Sequence, residues 1–228
     1  MKILGHRGLP RLYPENTMKS FLAALSYGAD GLETDVRLTA DGIPVLIHDA
    51  DLLRLAGEDV EVGELKFKEL KDFNVGGEPI PTLEEFLSAI PPGKWINLEI
   101  KEPGAGEVTV EFALSHYDGQ LIFSSFEHQL INELKRKYPN AKFGYLFDER
   151  HENLTLDEVR DLFREHTFSA HLPIEFKILD SKRFSEMCNL VKSLNLKLVL
   201  WTVNEPALIS DIKELVDFVI TDDVRLFL

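Results

Sequence analysis

The sequence predicts an α/β fold and, within that class, a TIM (β/α)8 barrel. Short apolar runs alternate with longer segments of helical period along the whole chain. The apolar runs lack the in–out alternation of a half-exposed sheet, which points to parallel strands buried on both faces. Setting aside one hairpin strand, the runs come to the eight that close such a barrel. A doubly wound open sheet is the competing architecture. It fits less well, because charged residues sit at the ends of nonadjacent strands, which only a closed barrel brings together.

The elements follow in order. Lys2 to His6 reads as a strand and Thr17 to Tyr27 as a helix, with Phe21, Leu22 and Leu25 on one face and Gly28 as its stop. Asp30 to Leu38 is the second strand. Ile43 to Ile47 follows Ala40-Asp41-Gly42, so these two runs form a hairpin. Leu83 to Ala89 is helical behind a Thr82 cap, and Pro91-Pro92-Gly93 closes it. Further strands are expected at Trp95–Ile100, Leu121–Ser124, Lys142–Phe147, Thr167–Leu172, Lys197–Val203 and Asp217–Ile220. Helices are expected at Gly106–Ser115, Glu127–Lys137, Thr155–Arg164, Ser181–Leu194 and Pro206–Leu215. The polar, glycine-containing stretch over residues 49–81 breaks the rhythm. It reads as a small insertion folded over the barrel mouth or, alternatively, as an extended surface loop without function, within one catalytic domain spanning residues 1–228.

Composition excludes several partners. With 39 acidic against 25 basic residues the formal charge is −14, which repels nucleic-acid backbones and anionic lipid surfaces. No nucleic acid and no stable membrane association are expected; the oligomeric state is left open. A small anionic substrate is compatible if a cation or metal meets its charge locally. Cys188 is the only cysteine, so no internal disulfide forms, and it reads as a small buried hydrophobe. The N-terminus enters a strand without a long apolar stretch, and no run is long enough to span a bilayer. The expected compartment is the cytoplasm.

The chemistry lies where polar residues end apolar runs: His6-Arg7-Gly8, Glu33-Thr34-Asp35, His48-Asp49 and Asn97-Leu98-Glu99-Ile100-Lys101. An ionised group at the end of a buried strand costs free energy unless it is paired or holds a metal. Glu33 and Asp35 leave the same strand face, and Glu99 ends another strand. Three carboxylates without a thiolate suit a hard divalent ion, Mg²⁺ or Ca²⁺, better than zinc. The alternative is a structural network of these acids with Arg7 and Lys101; the motifs taken together favour metal. His6 and His48 titrate near neutrality and can serve as base and acid. Arg7 offers a donor fork for phosphate oxygens. Trp201 could cover an aliphatic or polyol group, and Phe126 is either a pocket wall or core. His116, His128, His151 and His166 are expected to be solvated, with His171 undecided.

These residues carry a resemblance to the glycerophosphodiester phosphodiesterase family. The matching segments are Gly5-His6-Arg7-Gly8, Pro14-Glu15-Asn16-Thr17, Glu33-Thr34-Asp35-Val36, Asp41-Gly42-Ile43-Pro44-Val45, His48-Asp49, Asn97-Leu98-Glu99-Ile100-Lys101, Ser125-Phe126, Trp201-Thr202-Val203-Asn204 and Ile220-Thr221-Asp222. They run in family order over essentially the whole chain. The resemblance implies a TIM barrel with a small insertion after the second strand, and metal-dependent hydrolysis of glycerophosphodiesters to sn-glycerol 3-phosphate and an alcohol. It further implies His6 and His48 as the acid/base pair and Glu33, Asp35 and Glu99 as ligands of Mg²⁺, Ca²⁺ or Mn²⁺. Arg7 and Lys101 would meet the phosphate and Trp201 would line the glycerol end. The expected assignment is His6 as base and His48 as acid, with water or the glycerol 2-hydroxyl as nucleophile. Arg54-Leu55-Ala56 departs from the family's Arg-Thr-Thr, which bears on the choice of alcohol. Rival readings are a lysophospholipase D-like or other phospholipid phosphodiesterase on the same barrel, and a catalytically inactive phosphodiester-binding barrel.

Overall fold

A computed structural model describes residues 1–227. Eight parallel strands close on themselves: β1 (Lys2–His6), β2 (Gly31–Leu38), β3 (Trp95–Ile100), β4 (Gln120–Ser125), β5 (Phe143–Leu146), β6 (Thr167–Pro173), β7 (Lys197–Trp201) and β8 (Phe218–Thr221). Closure is made by β1, which pairs with β8 on one side and β2 on the other. This is the expected TIM barrel. Pro44–Leu46 adds an antiparallel strand on the outer part of β2, with Val36 opposite Leu46, as the Asp-Gly turn predicts.

Two apolar layers hold the barrel. Inside, Leu4, Ile122, Val199, Phe218 and Ile220 fill the tube. Its lower end, where the strands begin, is closed by Trp95, which meets Phe218 at 4.8 Å and Phe168 at 6.1 Å between ring centroids. Outside, residues of opposite strand parity, such as Leu32, Leu98, Phe123 and Leu200, pack under the helices. The helix Met18–Ser26 begins at Thr17, whose side chain accepts the Ser20 N–H. The helix Leu83–Ala89 begins with a capping box between Thr82 and Glu85. Such a cap contributes about 1 kcal/mol.

The C-terminal part departs from expectation in two places. Pro206–Leu215 is two 3-10 turns, Pro206–Ile209 and Lys213–Leu215, rather than one helix. A further helix, Ile174–Leu179, follows β6. Its Ile-Glu-Phe-Lys-Ile order alternates with a strand's period, so it carries no helical signature.

Residues 49–81 fold around a core of their own, in which Leu52, Val62, Leu70, Val75 and Ile80 join Val45 and Ile47. Two short hairpins, Asp51–Leu52 with Glu58–Glu61 and Asn74–Val75 with Glu78–Pro79, frame it. The segment docks beside the loop that follows β1. Lys19 reaches Glu78 at 3.2 Å. Gly76, at φ +56°, lies so close to Pro14 that a Cβ would sit 2.6 Å from the ring, so glycine is needed twice over. No helix among the described residues is long and apolar enough to cross a membrane.

Candidate active site

The expected site residues gather at the C-terminal mouth of the barrel, the end at which TIM barrels carry their chemistry. His6 and Trp201 end β1 and β7, Arg7 and Lys101 follow β1 and β3, and His48 follows the hairpin strand. Glu33, Asp35 and Glu99 face inward from within β2 and β3. Register explains the convergence. In the β1–β2 and β2–β3 pairings His6 is opposite Glu33, and Asp35 is directly opposite Glu99. Like charges facing each other across neighbouring strands are destabilising, the more so when buried. Glu33, Asp35 and Glu99 are nonetheless all buried and offer carboxylate oxygens within 4.8 Å of one another.

Cationic side chains compensate part of this charge. The Arg7 backbone N–H, on a residue in the left-handed region at φ 51°, is shared between the Glu33 carbonyl oxygen at 2.9 Å and Glu33 Oε2 at 3.1 Å. Its guanidinium places Nε 3.1 Å from Asp35 Oδ2 and donates from Nη1 to Glu15 Oε1 at 2.9 Å. Lys101 donates to Glu99 Oε1 at 2.5 Å and stands 3.5 Å from Asp35 Oδ1. Asn16 Nδ2 donates to Asp35 Oδ2 at 2.9 Å and is itself oriented by the Thr34 hydroxyl, at 2.8 Å from its Oδ1. Asp35 Oδ1, fully buried, accepts no hydrogen bond.

The carboxyl groups divide accordingly. Burial pushes Glu33 upward, and the Asp35 charge adds to it. Burial and the Asp35 charge also raise Glu99. Burial acts on Asp35 in the same sense, but Arg7 and Lys101 outweigh it and hold Asp35 well below the usual carboxylate range.

The two histidines flank this cluster. His6 Nδ1 is 2.7 Å from Asp222 Oδ1, and its Nε2 is 3.9 Å from Glu33 Oε2. His48 Nδ1 is 2.6 Å from Asp49 Oδ1. Burial depresses both imidazoles. At His6 the Asp222 hydrogen bond and the Glu33 charge reverse that and leave it raised. At His48 burial prevails over the Asp35 charge and leaves it lowered.

Opposite the acids, Trp201 ends β7 and meets Phe126, just past β4, edge-on at 5.6 Å. Phe126 also lies under the Lys101 ammonium at 5.8 Å and the Arg150 guanidinium at 4.8 Å. It is therefore a wall of the mouth rather than core.

The sequence profile of the glycerophosphoryl diester phosphodiesterase family matches residues 6–226. The chain belongs to this family. A glycerophosphodiester phosphodiesterase of Caldanaerobacter subterraneus subsp. tengcongensis is 32% identical, over 97% of this chain and 93% of that relative. Among solved structures, the glycerophosphodiester phosphodiesterase of Thermotoga maritima superposes with a TM-score of 0.87 at 36% identity, covering 100% of this chain and 96% of that one. An Oleispira antarctica phosphodiesterase, solved in complex with the product sn-glycerol-3-phosphate, superposes at 0.83 with 28% identity over 97% and 93% of the two chains.

Within this candidate site, sequence reasoning missed the polar residues that brace others. Glu15, Asn16, Asp49, Asn204 and Asp222 all hydrogen-bond to a candidate residue or to its partner. They fall in motifs quoted for the resemblance, but in loops where spacing alone gives no direction to a side chain. Two histidines are also not solvated as expected. His128 and His151 stack at 4.0 Å, with His128 Nε2 against the Leu146 carbonyl at 2.8 Å. Burial lowers His128 to about 4. His171 is fully buried inside the barrel, 2.9 Å from the Ser169 hydroxyl.

Proposed function

We propose that this phosphodiesterase hydrolyses glycerophosphodiesters to sn-glycerol 3-phosphate and an alcohol, using a divalent cation held by Glu33, Asp35 and Glu99 and proton transfer by His6 and His48. The observation that carries the reading is the meeting of three buried carboxylates between two imidazoles, each imidazole fixed at Nδ1 by an aspartate.

The residues fit a cation. Asp35 faces Glu99 directly, and its buried Oδ1, 3.5 Å from the Lys101 ammonium, accepts no hydrogen bond. An all-oxygen donor set suits Mg²⁺, Ca²⁺ or Mn²⁺. When bound, such an ion supplies Lewis-acid charge at the non-bridging phosphate oxygens.

The chain's own groups do the rest. Arg7 presents a planar fork beside Asp35 and holds a phosphate oxygen through it. Lys101, on the strand face of Glu99, adds a point charge to the same phosphate and keeps Glu99 in place. Trp201 and Phe126 cover the glycerol moiety. With each Nδ1 committed to a carboxylate, proton transfer falls to the two Nε2 atoms. The raised His6 is the better donor to the leaving oxygen, and the lowered His48 the better acceptor from the attacking hydroxyl. That order reverses the one expected from the sequence.

The deciding experiment offers the purified protein a panel of glycerophosphodiesters with Mg²⁺, Mn²⁺ or Ca²⁺ and detects glycerol 3-phosphate with a coupled dehydrogenase. Release of glycerol 3-phosphate from at least one diester is expected. Release of a phosphoalcohol and free glycerol instead, or no cleavage with any of the three ions, would overturn the proposal.

A further inference from the structure

His6 is held by a side chain 216 residues away, and that side chain is itself oriented by a third. Asp222 follows β8 directly, and its Oδ1 meets His6 Nδ1 at 2.7 Å. Its other oxygen, Oδ2, accepts Asn204 Nδ2–H at 2.7 Å. The amide of Asn204 cannot turn over, because its Oδ1 already accepts the Asp222 backbone N–H at 2.9 Å and the Thr221 hydroxyl at 3.1 Å. Asn204 is in turn fixed by the chain: the neighbouring Val203 N–H donates to the Ile220 carbonyl at 2.9 Å. The Thr221 hydroxyl is shared with the Asp223 carbonyl at 3.4 Å, but Asn204 Nδ2–H and the Asp222 backbone N–H can only donate, so the orientation of the Asn204 amide is set.

We infer that Asp222, oriented by Asn204, is a positioning residue that keeps the proton on His6 Nδ1 and so commits Nε2 to the reaction. The inference deepens the proposed reaction and rests on it for the role of His6. An ionised carboxylate only accepts, so the imidazole nitrogen facing it carries a hydrogen. With Nδ1–H so engaged, Nε2 faces the carboxylate cluster, 3.9 Å from Glu33 Oε2. A carboxylate that fixes an imidazole's tautomer and orientation, without itself exchanging a proton, is an established device in acid–base catalysis.

The geometry makes a specific demand on the variant D222N. The new amide must give its oxygen to the Asn204 NH₂ group, because two donors cannot face each other there. Its own NH₂ then points at His6 Nδ1 and removes the hydrogen from that nitrogen. The double variant D222N/N204D reverses this. The carboxylate now at the second position accepts the amide NH₂, the amide oxygen faces His6, and Nδ1–H is restored.

The test combines kinetics with ¹⁵N spectra of histidine-labelled protein at alkaline pH, where the imidazole is neutral. In D222N the His6 signals are expected to move from the Nδ1–H to the Nε2–H tautomer. Its kcat should fall about 10²-fold or more, with KM changed by less than about threefold. The double variant should recover the parent tautomer and at least about tenfold in kcat over D222N. Turnover of D222N within about threefold of the parent, an unchanged His6 tautomer, or a double variant no faster than D222N would each overturn the inference. The tautomer is read on resting protein. A parent that cleaved no glycerophosphodiester would therefore refute the reaction while leaving the spectroscopic arm to be judged on its own.

Discussion

Arg54 and Glu15, 39 residues apart in sequence, are joined by two hydrogen bonds, Nη1 to Oε2 at 3.0 Å and Nη2 to Oε1 at 2.7 Å. Arg54 Nε also donates to Asp49 Oδ2 at 2.6 Å. Asp49 in turn holds His48, and Glu15 holds Arg7. One half-exposed guanidinium from the inserted segment thus braces two candidate site residues, Arg7 and His48, just past the ends of different strands.

Removing that brace should cost rate rather than stability. Arg54→Leu is expected to lower kcat roughly tenfold. The melting temperature should change little, since exposed ion pairs contribute about 0–1 kcal/mol. Arg54→Lys should not restore the rate, because an ammonium cannot serve both carboxylates as a planar fork does. Steady-state kinetics beside thermal melts check this; an Arg54→Leu enzyme at parental kcat would show the brace to be idle.

Cation dependence should appear in both turnover and stability. Chelation should abolish hydrolysis, and Mg²⁺, Mn²⁺ or Ca²⁺ should restore it. The ion should also raise the melting temperature, because it binds the folded state and relieves the opposition of Asp35 and Glu99. Asp35→Asn should remove most of the metal-induced shift. Undiminished activity of metal-free, chelated enzyme would refute this.

His6→Ala and His48→Ala should each reduce kcat by about 10²-fold or more, the scale of a lost acid–base group. The double variant should be far less impaired than the product of the two losses, as for groups that act as a unit. A near-parental rate for either single variant removes that imidazole from the mechanism.

Lys101 neutralises Glu99 and Asp35, so Lys101→Met leaves buried negative charge uncompensated. The metal-free variant is expected to lose about 3 kcal/mol or more of unfolding free energy. It should also gain more than the parent when Mg²⁺ is added, because the ion replaces the missing cation. Chemical denaturation with and without Mg²⁺ gives the comparison; equal gains would show that Lys101 does not share the carboxylates' charge.

His171 gives a pH-dependent term remote from the carboxylates. Burial lowers it from 6.5 to about 3. Between those values the unfolded chain binds a proton that the folded chain does not, so stability rises with pH there by about 1.4 kcal/mol per unit. The contribution is complete above the unfolded value and is lost as the pH falls toward the folded one. His171→Asn should flatten the unfolding free energy by that slope from about pH 6 to about pH 4, measured by urea denaturation. Parallel curves for parent and variant would contradict it.

The barrel was legible because short buried runs such as Leu121–Phe123 and Leu198–Leu200 recur between helical segments, with the strands' buried acids confined to the inward face of β2 and β3. The acids were legible because Glu33 and Asp35 share a strand face and Glu99 ends the next barrel strand, so pairing alone makes them meet. What spacing could not supply was direction in loops. Asp222 and Asn204 are 18 residues apart, and their bond depends on how two connections fold back over the barrel rim. The Ile174–Leu179 helix was hidden by a strand-like alternation. His128 has no sequence signal of burial, because its acceptor, the Leu146 carbonyl, belongs to the neighbouring strand.

The aromatic seal made by Trp95, Phe168 and Phe218 gives the barrel a single doorway. Nothing can pass through the tube, so whatever enters at the carboxylate end must leave there. On the proposed reaction, the alcohol and glycerol 3-phosphate would share one exit, and the phosphate-bearing product would depart last, since Arg7 and Lys101 stand ready to hold its charge. Until it goes, the next diester has no way in. Turnover would then be set by how fast an anion lets go, and accumulated glycerol 3-phosphate would act as a brake on its own production.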